Sequence, residues 1–217
     1  MGEIEHGRQS QPVFRPLVAF DFDGTLTSED SFTAFLSWRA GRGTYLAGLL
    51  HLIPNGARFV FDRDRGKLKA AAVHRFLAGL TRAELEAEAQ AFATDQGRTL
   101  LRPDALRAWR RWQGEGARLV IVTATPEIIV APIARGLGAD LLIGTQLAFD
   151  AGGRVTGDLA GANCRGPEKV RRLKEAFGDD VRLEAAYGDS DGDREMLALA
   201  QERGMKVFNG TGRRNGR

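Results

Sequence analysis

Two aspartates, one residue apart, follow an apolar run in Val18–Thr27, which reads VAFDFDGTLT. A buried strand ending in Asp21 and Asp23 projects both carboxylates from one side of its pleat. In an open α/β sheet, the carboxyl end of the strands is where ligands bind. Gly24 permits a sharp turn away from the sheet. Carboxylates held this close repel each other unless a cation or a shared proton lies between them. The string alone also fits an acidic turn after an edge strand, so its meaning depends on what else the chain supplies.

Three further motifs follow. Ala117–Pro126, ARLVIVTATP, is a second apolar strand ending in Thr123, with Pro126 suited to a first helical position. Arg165–Val170, RGPEKV, opens a helix with Lys169 in its first turn. Leu183–Leu197, LEAAYGDSDGDREML, is a third strand that runs into Gly188-Asp189 and places Asp193 four residues later. The order Asp-x-Asp, Thr, Lys, Gly-Asp-x-x-x-Asp resembles the haloacid dehalogenase-like phosphohydrolases. Within them it resembles subfamily IB, the branch of phosphoserine phosphatase and phosphatidylglycerophosphate phosphatase relatives. The resemblance covers Leu17–Asn209, with a helical insertion between the first and second motifs.

The resemblance implies an α/β fold: a Rossmann-like, doubly wound parallel sheet carrying a small helical cap. It implies a Mg²⁺-dependent phosphomonoester hydrolase acting through an aspartyl phosphate. Asp21 would be the nucleophile, and Asp23 the acid that protonates the leaving alkoxide and then the base that activates water. A carboxyl whose pKa is raised by a charged neighbour suits that exchange. Asp21 and Asp189 would hold the metal through their side chains and Asp23 through its carbonyl. Asp193 would orient that shell or ligate through water. Thr123, with the nearby backbone at Ala124 and Gly24, would bind phosphate oxygens. Lys169 would balance their charge, ahead of Arg165 at the same helix opening.

Substrate choice falls to the cap. Phosphoserine phosphatases carry an acid nine positions after the nucleophile, matched here by Asp30. Arg75 is the nearest counterpart of their cap arginine. A phosphoserine-like small metabolite is the expected substrate. The alternative is a lipid phosphate, because the apolar segment Leu46–Phe61, with the basic residues Arg58, Arg63, Arg65, Lys67 and Lys69, suits peripheral contact with an anionic membrane surface. A phospho-accepting receiver switch shares Asp, Thr, Lys and Mg²⁺ but lacks both the second aspartate and a cap.

The chain has 217 residues, enough for one domain with an insertion. Its net charge of +3 equals the contribution of Arg213, Arg214 and Arg217 in the basic tail 211–217, leaving a neutral body. A basic footprint for nucleic acid is therefore not expected. The single cysteine, Cys164, rules out an internal disulfide framework. With no apolar leader and no run of ~20 apolar residues, a cytoplasmic monomer or homodimer is expected.

Residues 1–16 read as a disordered arm, 17–27 and 98–210 as the core, and 28–97 as the cap. Ser28 is a candidate cap for a helix to Ala40, and Thr81 with Glu84 forms a capping box for a helix to about Asp95. Gly24 and Gly97 are candidate hinges. A hairpin is expected around Gly152-Gly153, then helices at Glu168–Phe177 and Asp193–Gln201 and a last strand at Lys206–Phe208.

Overall fold

The computed structural model describes residues 15–50 and 65–210. Its five-stranded sheet joins β1 (Leu17–Phe20), β2 (Arg118–Pro126), β3 (Leu141–Thr145), β6 (Leu183–Gly188) and β7 (Ala200–Met205) in the order β3-β2-β1-β6-β7, all parallel. Phe20 pairs with Ile121 on one side and with Tyr187 on the other, so β1 lies in the middle. Its residues are apolar throughout because helices cover both faces of such a sheet. Val18 and Phe20 pack with α5 (Pro103–Gly114) and α6 (Glu127–Leu137). Ala19 faces the opposite core, which contains Leu173 of α7 (Pro167–Phe177) and Met196 of α8 (Arg194–Leu197). Beneath the end of β1, the Phe20 ring stacks on Tyr187 at 4.6 Å and meets Trp109 at 5.1 Å.

The cap contains α1 (Ser31–Ala40), α2 (42–50), α3 (Arg65–Leu77) and α4 (Arg82–Leu100). Asp30, rather than Ser28, caps α1, accepting from the Thr33 amide at 2.7 Å. The Ser28 hydroxyl instead donates to the Leu100 carbonyl. The Thr81–Glu84 capping box forms as the sequence indicates, but α4 continues to Leu100. Gly97 is consequently no hinge: it is buried in the helix against Ile133. The two cap connections pair with each other at Thr27 and Leu101. The hairpin of β4 (Leu147–Phe149) and β5 (Val155–Leu159) supplies a third attachment, through Val155 N–H to Leu80 O at 2.8 Å and a bridge between Thr81 and Arg154.

Two expectations fail at the termini of the core. Arg15 and Pro16 are docked, Arg15 on the Gly116 and Ala117 carbonyls and Pro16 on the Arg118 amide; residues 1–14 lie outside the described residues. The expected helix 193–201 ends at Leu197, and β7 replaces both its last turn and the strand expected at Lys206–Phe208. As an edge strand, β7 turns only Ala200 and Gly204 inward, so its sequence is polar. Gly204 is required there, since a Cβ would meet the Tyr187 ring at 2.3 Å.

Of the segment read as a membrane-surface element, Leu46–Leu50 lies in α2 and 51–61 outside the described residues. Among the described residues no helix is long and apolar enough to cross a membrane. Cys164 is buried, with its thiol pushed up to about 11, first by burial.

Candidate active site

The site forms where β1 stops. The strand ends at Phe20, one residue earlier than the sequence suggests, and Phe22–Leu26 form a wide turn closed by Thr27 N–H on the Phe22 carbonyl. Asp21 and Asp23 thus share one cavity because of that turn rather than a pleat. The turn depends on Gly24, whose φ is +79°. A Cβ on Gly24 would lie 2.2 Å from Asp189 Oδ2, so no side chain fits between the first and last motifs. Such single wide turns often mark functional positions.

Asp21 is held from three directions. Its amide donates to Tyr187 O at 2.8 Å, Thr25 Oγ1 donates to Oδ2 at 3.2 Å, and Lys169 Nζ donates to Oδ1 at 2.6 Å. The same ammonium reaches Asp193 Oδ1 at 2.7 Å and Val122 O at 2.6 Å. Three acceptors therefore surround one buried cation. Burial acts to raise Asp193, but Lys169 and the Ser190 donors outweigh it and hold its carboxyl below the usual range. Asp21 is pushed up to about 7, first by burial, with Lys169 opposing and Asp193 adding. Burial alone would lower Lys169, but Asp21 and Asp193 together raise it. Arg165, the competing cation, lines the cavity but donates to Ser190 Oγ at 3.3 Å.

Asp23 accepts from the Ser31 amide at 2.7 Å and from Thr125 Oγ1 at 2.5 Å. Burial and then the charge of Asp30 raise its pKa. Thr125 was not singled out in the sequence; its signal was the second threonine of VTATP. Thr123 is fully buried and absent from the cavity wall, its Oγ1 accepting from Thr125 N at 3.0 Å. At this height the wall is Ala124. The register of β2 against β3 shifts between Val122 and Pro126, and that irregularity re-aims the intervening side chains.

Asp21, Asp189 and Asp193 offer carboxylate oxygens all within 4.8 Å of one another. This hard-oxygen set fits Mg²⁺ and offers no soft ligand. Asp193 is already engaged, since its Oδ2 accepts from the Asp189 and Ser190 amides and from Ser190 Oγ. Burial, then Asp193, raises Asp189.

The cavity above these groups has a volume of about 740 Å³. Asp30 lies on its wall; Arg75 does not, being exposed with its guanidinium over the Phe76 ring. The cap cation lining the cavity is Lys69, which the sequence pattern had grouped with a basic membrane-facing cluster. Its Nζ donates to the Ala124 carbonyl and lies 5.8 Å from the Phe32 ring centroid.

A sequence profile of the haloacid dehalogenase-like hydrolases matches residues 18–198. The chain belongs to that family. Protein CicA of Caulobacter vibrioides is 61% identical over 209 residues, covering 96% of this chain and 90% of CicA. A phosphoserine phosphatase of Halobacterium salinarum is 32% identical over 190 residues, 85% of this chain and 82% of that protein. A Bordetella pertussis protein of unknown function superposes with a TM-score of 0.72 at 26% identity, over 87% of this chain and 88% of that one. This haloacid dehalogenase-like hydrolase therefore lies on the phosphoserine phosphatase-like branch, and the receiver-switch reading is set aside.

Proposed function

We propose that the protein is a Mg²⁺-dependent phosphomonoester hydrolase that works through an aspartyl phosphate on Asp21. The observation that carries this reading is the Lys169 ammonium joining Asp21 to Asp193 at the floor of a cavity that Asp23 also lines. Asp21 attacks phosphorus, and the bond from phosphorus to the ester oxygen breaks. Asp23 gives its proton to the departing alkoxide. It then takes a proton from the water that attacks the aspartyl phosphate, and inorganic phosphate leaves with Asp21 regenerated. Covalent division of one difficult step into two suits a bond as slow to hydrolyse as a phosphate monoester.

Asp21, Asp189 and the Asp23 carbonyl are assigned to the metal, with Asp193 orienting them. Bound there, Mg²⁺ supplies positive charge against the phosphoryl oxygens. Lys169 compensates Asp21 and the incoming anion from the opposite side. Thr123 acts one step back, holding the Thr125 amide beside Ala124; Ala124 and Gly24 present backbone to the phosphate. The substrate is a small phosphorylated metabolite; Asp30 lines the cavity that takes it, and Arg75 lies outside that cavity.

Phosphate release from p-nitrophenyl phosphate tests the scheme. Wild type should require Mg²⁺, and Asp21→Asn should lose both turnover and an acid-stable trapped phosphoenzyme. Retention of more than a few per cent of activity in Asp21→Asn removes Asp21 from the nucleophile's role.

A further inference from the structure

The cavity has two chemically different halves. The floor carries the acids and Lys169. The half under the cap is walled by Phe32, Leu36, Leu49, Leu68, Ala72 and Phe76. Phe32 is 6%, Leu36 2% and Phe76 9% exposed, so the part of the wall from α1 and α3 that they form is packed, while Leu49 of α2 is 38% exposed. The acids of the cap side, Glu29 and Asp30, are exposed and line the cavity as well. Asp30 also spends one carboxylate oxygen on the Thr33 amide, as the cap of α1.

The cap cation is tied to the core. Lys69 bonds the Ala124 carbonyl of the core and lies against Phe32. Burial lowers its pKa, which is what a weakly polar surrounding does to an ammonium. A carboxylate on the substrate would enter a compartment with a hydrocarbon wall, two acids and a cation already bonded to the core. The volume of about 740 Å³ is that of a pocket for a molecule well beyond a bare phosphate.

We infer that the phosphate ester hydrolysed here is that of an apolar alcohol, whose hydrocarbon part fills the compartment between α1, α2 and α3. This rests on the phosphomonoesterase reading above. The charged phosphate stays on the polar floor, while the alkyl or aryl group gains by leaving water. Both a soluble alkyl phosphate and a lipid phosphate carry this chemistry.

The test is kcat/KM for ethyl, butyl, hexyl and octyl phosphate beside O-phosphoserine, with p-nitrophenyl phosphate as the reference for basal hydrolysis. Each buried methylene should raise kcat/KM about threefold to fourfold until the compartment is full, and hexyl phosphate should exceed phosphoserine. Ala72→Trp should shorten the chain length at which the rise stops, lowering octyl phosphate more than ethyl phosphate. Dioleoyl phosphatidic acid in phosphatidylcholine vesicles, run beside octyl phosphate, separates the two sources: preference for either one supports the inference and assigns its origin. A flat alkyl series, or phosphoserine ahead of hexyl phosphate, overturns this inference while p-nitrophenyl phosphate turnover leaves the phosphatase reading standing. Absence of turnover on every ester, p-nitrophenyl phosphate included, overturns both.

Discussion

Lys169 Nζ donates to Asp21 Oδ1 at 2.6 Å, pairing two buried groups 148 positions apart in the chain. Lys169→Met keeps an unbranched side chain but leaves Asp21 and Asp193 without their shared cation. Catalytic efficiency should fall at least about 100-fold, the scale set by losing one preorganised donor. Denaturant unfolding at neutral pH should show a loss of about 3–5 kcal/mol, because two buried carboxylates remain unpaired. Lys169→Arg should not restore activity, since Asp21, Asp193 and the Val122 carbonyl converge on a single nitrogen and a planar fork cannot serve all three. Arginine at near wild-type efficiency would contradict this geometry.

Metal binding and pH should be linked through Asp21. Its folded pKa is raised to about 7 from 3.8, first by burial. In metal-free protein this group's contribution to stability is therefore full below the unfolded value and is lost as pH rises through about 7. A cation binds the ionised form, so it recovers what ionisation removes. Thermal unfolding with Mg²⁺ and with chelator should give a larger stabilisation by Mg²⁺ at pH 8 than at pH 5.5. Equal gains at the two pH values would mean that Asp21 does not titrate with metal binding.

The strands β1, β2 and β6 and the acidic residues were legible in the sequence because each of these strands is an apolar run that leads into a residue able to do chemistry. Asp21, Asp23 and Asp189 follow the aligned ends of β1 and β6, and Lys169 from the first turn of α7 and Asp193 from just before α8 meet them there. What was not legible depends on tertiary approach. β7 is polar because only one of its faces is covered, so its hydrophobic pattern is weak. Lys69 looks like one cation in a basic run, and only the packing of α3 turns it toward Ala124. Arg75, six residues later in α3, has an equally plausible spacing but faces solvent. Thr123 ends an apolar run, but the irregularity in β2 hands its place on the wall to Ala124 and gives Asp23 its partner in Thr125.

Gly24→Ala should damage the site more than the fold. The added methyl would lie 2.2 Å from Asp189 Oδ2, and the residue keeps a φ of +79° that disfavours any side chain. Asp189 must move away from Asp21, which disperses the carboxylate set. The concentration of Mg²⁺ needed for half-maximal activity should rise about tenfold or more, while the circular dichroism spectrum stays that of wild type. An unchanged metal requirement would separate Asp189 from the metal.

Thr125→Val should expose the role of Asp23 through its dependence on the leaving group. Thr125 Oγ1 donates to Asp23 Oδ2 at 2.5 Å and thereby favours the ionised carboxylate. Valine keeps the shape of the side chain but removes that donor, so the Asp23 pKa should rise further. An alkyl phosphate needs its alkoxide protonated as it departs, whereas p-nitrophenolate leaves unaided. Formation of the phosphoenzyme from p-nitrophenyl phosphate should therefore be nearly unchanged in the variant. Its breakdown, for which Asp23 is the proposed base, should slow about tenfold near neutral pH and recover as the pH is raised. Pre-steady-state release of nitrophenolate measured against phosphate release resolves the two steps. Equal slowing of both, independent of pH, would assign Thr125 to packing of the β2 end and remove it from control of Asp23.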